Sequence, residues 1–505
     1  MIDKITLLLK SPDSAVISNT SSFYKQSYTF GPIMFLYLFM KQIGIINCLN
    51  ILPKGVKILL IAVILNRVLE PRSKLGSVSW IKKTCFPLLF GIDKDKLIVT
   101  QIYRAIDSFY NRLDDVLDNF FKQNKAKTVL LLYDITSIFF EGKGPEELAT
   151  YGYSRDKRPD NPQILLCLVL NENKLPVYFD ICEGNISDKT TVIPLINKLK
   201  KKFELKESIF IGDRGMVTLD NLELLEEERI RYIVALTHTQ ARNLIIEEEI
   251  QLELFDKKIP ITIFTREDGG VNRRYILCGS EYCRQQDILL LEHLLKKGKG
   301  RLNIVEKMIE RGKLKDPIKI IRRAQKKLTE SGCKRFYDFR YEDGKLKIIE
   351  KEEAIKRARM MCGYYILQTT AEDLGPTEVE THYKGLKFVE EAFRELKDFV
   401  EIRPIFHWKD RRVKTHVFLC ILAQTIVNKV RGVLKENGWL KEEKENSLSS
   451  FLDSLYPINV GIFEIEEVKI PIVNQLTLEH KELLSFFDMD ERIFGDFDRA
   501  RRIVD

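Results

Sequence analysis

Long apolar runs are missing from this 505-residue chain. Stretches such as Ile58–Leu65 and Val417–Ala423 fall well short of the ~20 residues needed to cross a bilayer. They are expected to be core segments, and no membrane partner is expected. Paired cysteines are missing too. The nine cysteines are odd in number and include no C-x-x-C; the nearest two, Cys278 and Cys283, have no His or further Cys at zinc-finger spacing. That argues against a structural zinc and for reduced thiols in a cytosolic setting. The first residues carry Asp3, Lys4 and Lys10 without an apolar stretch followed by small residues, so no signal peptide is expected. Internal repeats and low-complexity segments are also lacking.

Net charge is sparse for the whole chain, at +8, but it is unevenly placed. Residues 1–127 hold 18 Lys/Arg against 9 Asp/Glu, and residues 292–328 hold 13 against 4. Two basic surfaces on a near-neutral body suit a polyanion. Nucleic acid comes ahead of a membrane because neither segment is a clean amphipathic anchor, although two solvated helix faces would leave the same pattern. With 45% hydrophobic and 30% charged residues the chain reads as globular. Its length calls for two or more domains of about 100–200 residues each.

From Lys57 to about Lys127 the apolar spacing is helical. It breaks in Leu69–Trp80, where Pro71 ends one helix and Ser73 can cap the next. A helix, a turn and a basic helix make a candidate DNA-docking unit. The middle of the chain alternates. Thr128–Tyr133 reads as a buried strand ending at Asp134, and Gln163–Leu170 with Leu175–Cys182 as a hairpin turning on "NENK". Ser187 and Asp188 cap a helix reaching about Lys202; Ser208–Gly212 is a strand running into Asp213; a helix near Leu219–Glu228 and a strand Tyr232–Leu236 follow. Strand, hairpin, helix, strand, helix, strand is the order of a ribonuclease-H-like core.

The expected fold class is therefore α/β. A helical N-terminal DNA-binding region spans 1–127 and the first part of a ribonuclease-H-like core spans 128–237. A mixed α+β insertion covers 238–375, the core resumes over 376–436, and a helical C-terminal region covers 437–505. Within the insertion, "EDGG" and "EDGK" are expected to turn the hairpins Ile261–Cys278 and Phe336–Ile349. The basic run 292–328 is expected to be helical, and Cys362–Thr369 a further strand.

Two apolar strands that each lead to a carboxylate, Asp134 and Asp213, are candidates to hold a divalent metal; a turn or cap residue is the plainer reading of either one alone. Pro376 and Pro404 bound what the pattern predicts to be one long helix. At 100° per residue, Tyr383, Arg394 and Lys397 lie within about 40° of Glu390 on such a helix. A carboxylate flanked by a phenol and two cations forms a stripe able to hold a metal and grip the phosphates beside it. Glu391 points about 100° away and is expected to face solvent. His407 and His416 are read as packing residues, and Phe406 and Trp408 as core or stacking groups.

Together, "LLYDITSIFFEG", "YGYSRDKRPDNPQ", "EGNISDKTT", "GDRGM", "YKGLKFVEEAFRELK" and "IRPIFHW" resemble consecutive blocks of the DDE transposases of bacterial insertion sequences, in the insertion-sequence-four superfamily. The subgroup resembled carries a β-rich insertion between the second Asp and the Glu. The superfamily signature is Tyr, two residues, Arg, three residues, Glu, six residues, Lys; Tyr383, Glu390 and Lys397 match its spacing, and Leu386 replaces its Arg. Lys384 or Lys387 could reach the same phosphate. The resemblance implies Asp134, Asp213 and Glu390 as catalytic metal ligands, Asp134 bridging two Mg2+ ions for which Mn2+ can substitute. It also implies phosphate contacts from Tyr383, Lys387, Arg394 and Lys397. Arg214 either orients its neighbour or binds DNA, and Arg155 and Arg158 are candidate contacts to flanking DNA. The implied activity is cut-and-paste transposition by a homodimer on paired terminal inverted repeats and a double-stranded DNA target, in the cytoplasm at the nucleoid. A ribonuclease-H-like nuclease that does not join, and an inactive DNA-binding derivative, are the alternatives.

Overall fold

The computed structural model describes residues 23–504 apart from 126–129, 203–207, 217, 251, 253–258, 269, 441–446 and 466–467. Its strands are, in chain order, β1 (Phe23–Thr29), β2 (Leu130–Phe139), β3 (Gln163–Leu170), β4 (Pro176–Glu183), β5 (Ile209–Gly212), β6 (Arg231–Ala235), β7 (Ile261–Asp268), β8 (Val271–Gly279), β9 (Tyr337–Glu342), β10 (Lys345–Glu350), β11 (Tyr364–Thr369), β12 (Asn459–Ile465) and β13 (Val468–Val473). The helices that matter below are α1 (Lys54–Leu69), α2 (Lys74–Lys83), α3 (Val192–Lys202), α4 (Leu219–Glu227), α5 (His238–Glu247), α6 (Glu281–Glu310), α7 (Pro317–Ser331), α8 (Pro376–Lys384), α9 (Lys387–Asp398) and α10 (Asp410–Glu436). The result is a mixed α/β fold with a large mixed sheet. The described residues fall into two compact units, and β2 passes from one to the other between Asp134 and Ile135.

Unit one holds the described residues up to 125 together with 135–186 and 388–504. Its β3 and β4 form an antiparallel hairpin, and the strand order is β4-β3-β2. Lys174 takes up a φ of 61° in the hairpin turn. The turn residues Asn171 to Lys174 thus act as their sequence suggested. Helix α10 has the length and apolarity of a membrane span, but 72% of its most apolar window is buried inside the protein, as in a core helix. Ser73 caps α2 by accepting from the Gly76 amide at 3.1 Å.

The two chain ends, expected to be helical, also contribute a sheet, β1-β12-β13, antiparallel throughout. The aromatic residues of "FYKQSYT" and the β-branched residues of "NVGIFEI" favour that pairing over a helix. Gly152 and Gly184 permit a close approach. A Cβ on Gly152 would lie 2.1 Å from the Gly184 carbonyl oxygen, and one on Gly184 2.1 Å from that of Gln163. Only hydrogen side chains let the loop after Thr150 lie against these backbones.

Unit two holds 130–134 and the described part of 187–387, and its strand order is β2-β5-β6-β11-β8-β7. The first three strands are parallel, and the remainder pair antiparallel. Strands β7, β8 and β11 of the segment read as an insertion thus extend the sheet beyond β6. Hairpin β9–β10 turns through Asp343 and Gly344, both at positive φ (51° and 74°), as a two-residue turn requires. Helices α6 and α7 bury one apolar stripe, including Leu302, Val305, Ile320, Ala324 and Leu328, against Phe336 and Tyr337. Their basic residues are left on the other faces, which explains a strongly cationic stretch inside a folded unit.

Candidate active site

The parallel pairing of β2 with β5 runs from Leu130↔Ile209 to Tyr133↔Gly212. Asp134 and Asp213 are the next residues after the last pair, so the register brings the two aspartates to adjacent positions on neighbouring strands, whose backbones run about 4.8 Å apart. Tyr133, immediately before Asp134, is fully buried and exchanges a 2.7 Å hydrogen bond with Thr191 Oγ1. That anchors the strand beneath the site. β2 does not stop at the aspartate as its apolar run suggested: "ITSIF" continues the strand to Phe139 in burial, so Asp134 sits mid-strand while Asp213 follows the end of β5.

Asp213 is solvent-exposed and is followed by a single 3-10 turn, Arg214–Met216. The Tyr383 hydroxyl faces the Asp213 carboxylate and the Arg214 guanidinium. Burial, and next the negative charge of Asp213, hold the Tyr383 phenol well above its ordinary pKa, so it is a neutral donor. Arg214 Nη1 also donates to His238 Nε2 at 2.9 Å. His238 opens α5, whose Thr237 cap accepts from the Gln240 amide, and burial followed by the Arg214 charge lowers its pKa. His238, Arg214, Tyr383 and Asp213 form one polar cluster within unit two. Sequence reasoning passed over His238; the cap signal "THTQ" directly after β6 was available to find it.

The single long helix expected between Pro376 and Pro404 is two helices. Tyr383 lies in the last turn of α8, whereas Glu390, Arg394 and Lys397 lie on α9, and the chain tightens between them as Gly385 N bonds to His382 O and Leu386 N to Tyr383 O. Gly385 is the reason: glycine is a poor helix former, and a Cβ there would stand 2.9 Å from the His382 carbonyl. The four-residue stripe is therefore corrected to three residues on α9, with Tyr383 turned instead to Asp213. On α9, Val389, Ala392, Phe393 and Leu396 form the buried face. Glu390 and Arg394 are exposed, and Lys387, at the helix start, is exposed as well. Lys397 is 11% exposed and donates to Asp156 at 2.8 Å.

The remaining candidates fall in unit one. The Arg155 amide donates to Ser137 Oγ on β2 at 2.9 Å, and the Arg158 guanidinium lies 5.0 Å above the Phe139 ring while donating to Asn161 Oδ1. Glu391 is half-exposed, 3.5 Å from Lys174. Phe406 and Trp408 are 56% and 79% exposed, so neither is core. His407 and His416 are buried, His416 Nε2 lying 3.0 Å from the Ile402 carbonyl and Nδ1 3.4 Å from Lys74 Nζ. Lys74, part of the basic run read as a docking surface, is itself buried.

Asp134 and Asp213 supply carboxylate oxygens of the kind that hard divalent cations take. No group of three His, Cys, Asp or Glu able to hold a metal stands together among the described residues. The carboxylate pair of unit two fits a cation by ligand chemistry, and Glu390 belongs to unit one.

A family model described as "Transposase DDE domain" matches residues 125–426, a span that includes all three carboxylates. No curated protein matches the sequence. Among solved structures, a piggyBac transposase synaptic complex with hairpin DNA is similar with a TM-score of 0.42 and 10% identity, over 86% of this chain and 82% of that one.

Proposed function

Since this chain belongs to the transposase DDE domain family, we propose that it is a metal-dependent cut-and-paste transposase of the insertion-sequence-four superfamily, with a ribonuclease-H-like core carrying Asp134, Asp213 and Glu390 as its catalytic carboxylates. The β2–β5 register supports this most directly, because it makes neighbours of two aspartates 79 positions apart in the chain. Glu390, on α9 of unit one, is the third ligand in this reading. Two Mg2+ ions, or Mn2+ in their place, would supply charge neutralisation and an activated water for in-line attack on a phosphodiester.

The chain's own residues have separate tasks. Asp134 and Asp213 hold the cations. Tyr383 fixes the orientation of Asp213 through its hydroxyl, and Arg214 braces Tyr383 from the other side. Arg394, Lys387, Arg155 and Arg158 are proposed to meet DNA phosphates through charge-assisted hydrogen bonds. In the first step a water oxygen bonds to phosphorus at the element's end, the bond to the 3′ oxygen breaks and a 3′-hydroxyl is freed. In the second step that hydroxyl attacks a phosphodiester of the target, displacing its 3′ oxygen. The partners are terminal inverted repeats and target DNA, and the acting form is a homodimer on paired ends.

Incubating the protein with Mg2+, labelled terminal repeats and a target plasmid tests the reading. Joined product is expected. Nicks without joining would identify a nuclease, and a mobility shift alone a DNA-binding derivative. Asp134→Asn is expected to abolish cleavage and joining while the DNA Kd changes less than twofold. Residual joining by that variant removes Asp134 from the mechanism.

A further inference from the structure

Within unit one a buried ion cluster ties the helix that carries Glu390 to the loop between β2 and β3. Asp156 Oδ1 accepts from Lys397 Nζ at 2.8 Å and from Arg403 Nε at 3.0 Å. The three side chains are 5%, 11% and 24% exposed. Arg403 Nη1 donates further to the Lys397 carbonyl at 3.4 Å, so the same guanidinium also holds the last turn of α9. The loop is in turn fastened to β2 and the residue after it, by Arg155 N to Ser137 Oγ and by Asn161 Nδ2 to Phe140 O.

The cluster is poorly suited to stabilising the fold alone. Asp156 Oδ2 is buried and finds no hydrogen-bond partner among the described residues. Taking ions out of water costs several kcal/mol each, which is recovered only where every remaining lone pair is satisfied. What the contact does provide is a fixed separation between α9 and the loop, the kind of support that holds a reactive group in place from behind. Lys397 stands at the position where a phosphate ligand was expected, yet its ammonium is spent on Asp156.

We infer that Asp156 is a positioning residue: through Lys397 and Arg403 it fixes α9 on the loop after β2 and so sets where Glu390, two turns before Lys397, stands. Lys397 is then a tether and not a phosphate ligand. The inference rests on the reading of Glu390 as an active-site carboxylate.

The test uses the full chain with Asp156→Asn, Asp156→Glu and Lys397→Met. Without DNA, amide hydrogen exchange over 388–398 is expected to quicken at least tenfold in Asp156→Asn and Lys397→Met, with β3 and β4 unchanged and Asp156→Glu intermediate. In Asp156→Asn, kcat for cleavage of terminal DNA is expected to fall at least tenfold with the DNA Kd within twofold of the parent. The slope of log Kd against log salt should be the same in Lys397→Met as in the parent, whereas loss of a phosphate ligand would reduce it by about 0.9. A slope reduced by that amount overturns the inference. So does unchanged exchange over 388–398, or exchange that quickens throughout the chain. Because exchange needs no catalysis, a parent protein that cleaves no DNA removes the transposase reading and leaves the tether to be decided by the exchange data.

Discussion

Tyr383→Phe is the most informative single substitution in unit two. It deletes one oxygen and leaves the ring, which packs 6.1 Å from Tyr365, in place. The lost hydroxyl faces the Asp213 carboxylate and the Arg214 guanidinium. A hydrogen bond to a charged group contributes about 1.5–3 kcal/mol. Asp213 is exposed, so water takes over much of that bond in the unfolding equilibrium, and the stability loss is expected to stay under about 1 kcal/mol.

Orientation of the carboxylate is not replaced by water, and if the full bond energy holds Asp213 in its working position, cleavage slows by about 10–100-fold. Since burial and Asp213 both raise the phenol's pKa, Tyr383 keeps its proton throughout the range in which such an assay runs. The ratio of parent to variant rates should therefore be flat between about pH 6 and 9. The assay is single-turnover cleavage of labelled terminal DNA, paired with direct measurement of the DNA Kd. Cleavage within twofold of the parent would refute the orienting role. A weakened Kd with unchanged single-turnover rate would return Tyr383 to the phosphate-binding role its spacing first suggested.

Two further outcomes test the packing. Glu226 is nearly buried and takes Arg273 Nε and Nη2 at 2.7 and 2.6 Å and the Tyr232 hydroxyl at 2.7 Å. Glu226→Ala takes the buried carboxylate from an arginine and a phenol and is expected to cost about 3–5 kcal/mol in denaturant unfolding, a loss under about 1 kcal/mol counting against the network. Lys74, buried beside Arg67 and His416, has its pKa lowered by burial first and Arg67 second, from 10.5 to about 7. Between those values the unfolded chain binds a proton that the folded chain does not, so this lysine makes stability rise with pH across that window. Lys74→Met should flatten the dependence of Tm on pH there and raise Tm more at pH 7 than at pH 10; parallel curves for parent and variant would show that Lys74 is not the group responsible.

Much of the fold around the candidate site was legible because strands and turns are local. The apolar runs before Asp134 and Asp213 demand burial as strands, the asparagines after Leu170 and the "EDGK" turn demand hairpins, and parallel strands joined through α3 follow from the order of those elements. Local pattern also spaced Tyr383, Glu390 and Lys397 as on one helix. Distant partners then decided what each of those residues does. Gly385 lies where a helix can continue or break, and the backbone breaks there, leaving Tyr383 to pair with Asp213, 170 positions earlier.

The basic spacing of α9 could not reveal that Asp156, in a loop 241 residues away, takes up the charge of Lys397. Nor could the run of Leu130–Tyr133 show that "ITSIF" would also be buried and carry β2 past its aspartate. Periodicity reports which face of an element is apolar. Which charge meets which is settled by long-range packing, because electrostatic partners are chosen by proximity in the folded chain and leave no repeating mark in the sequence.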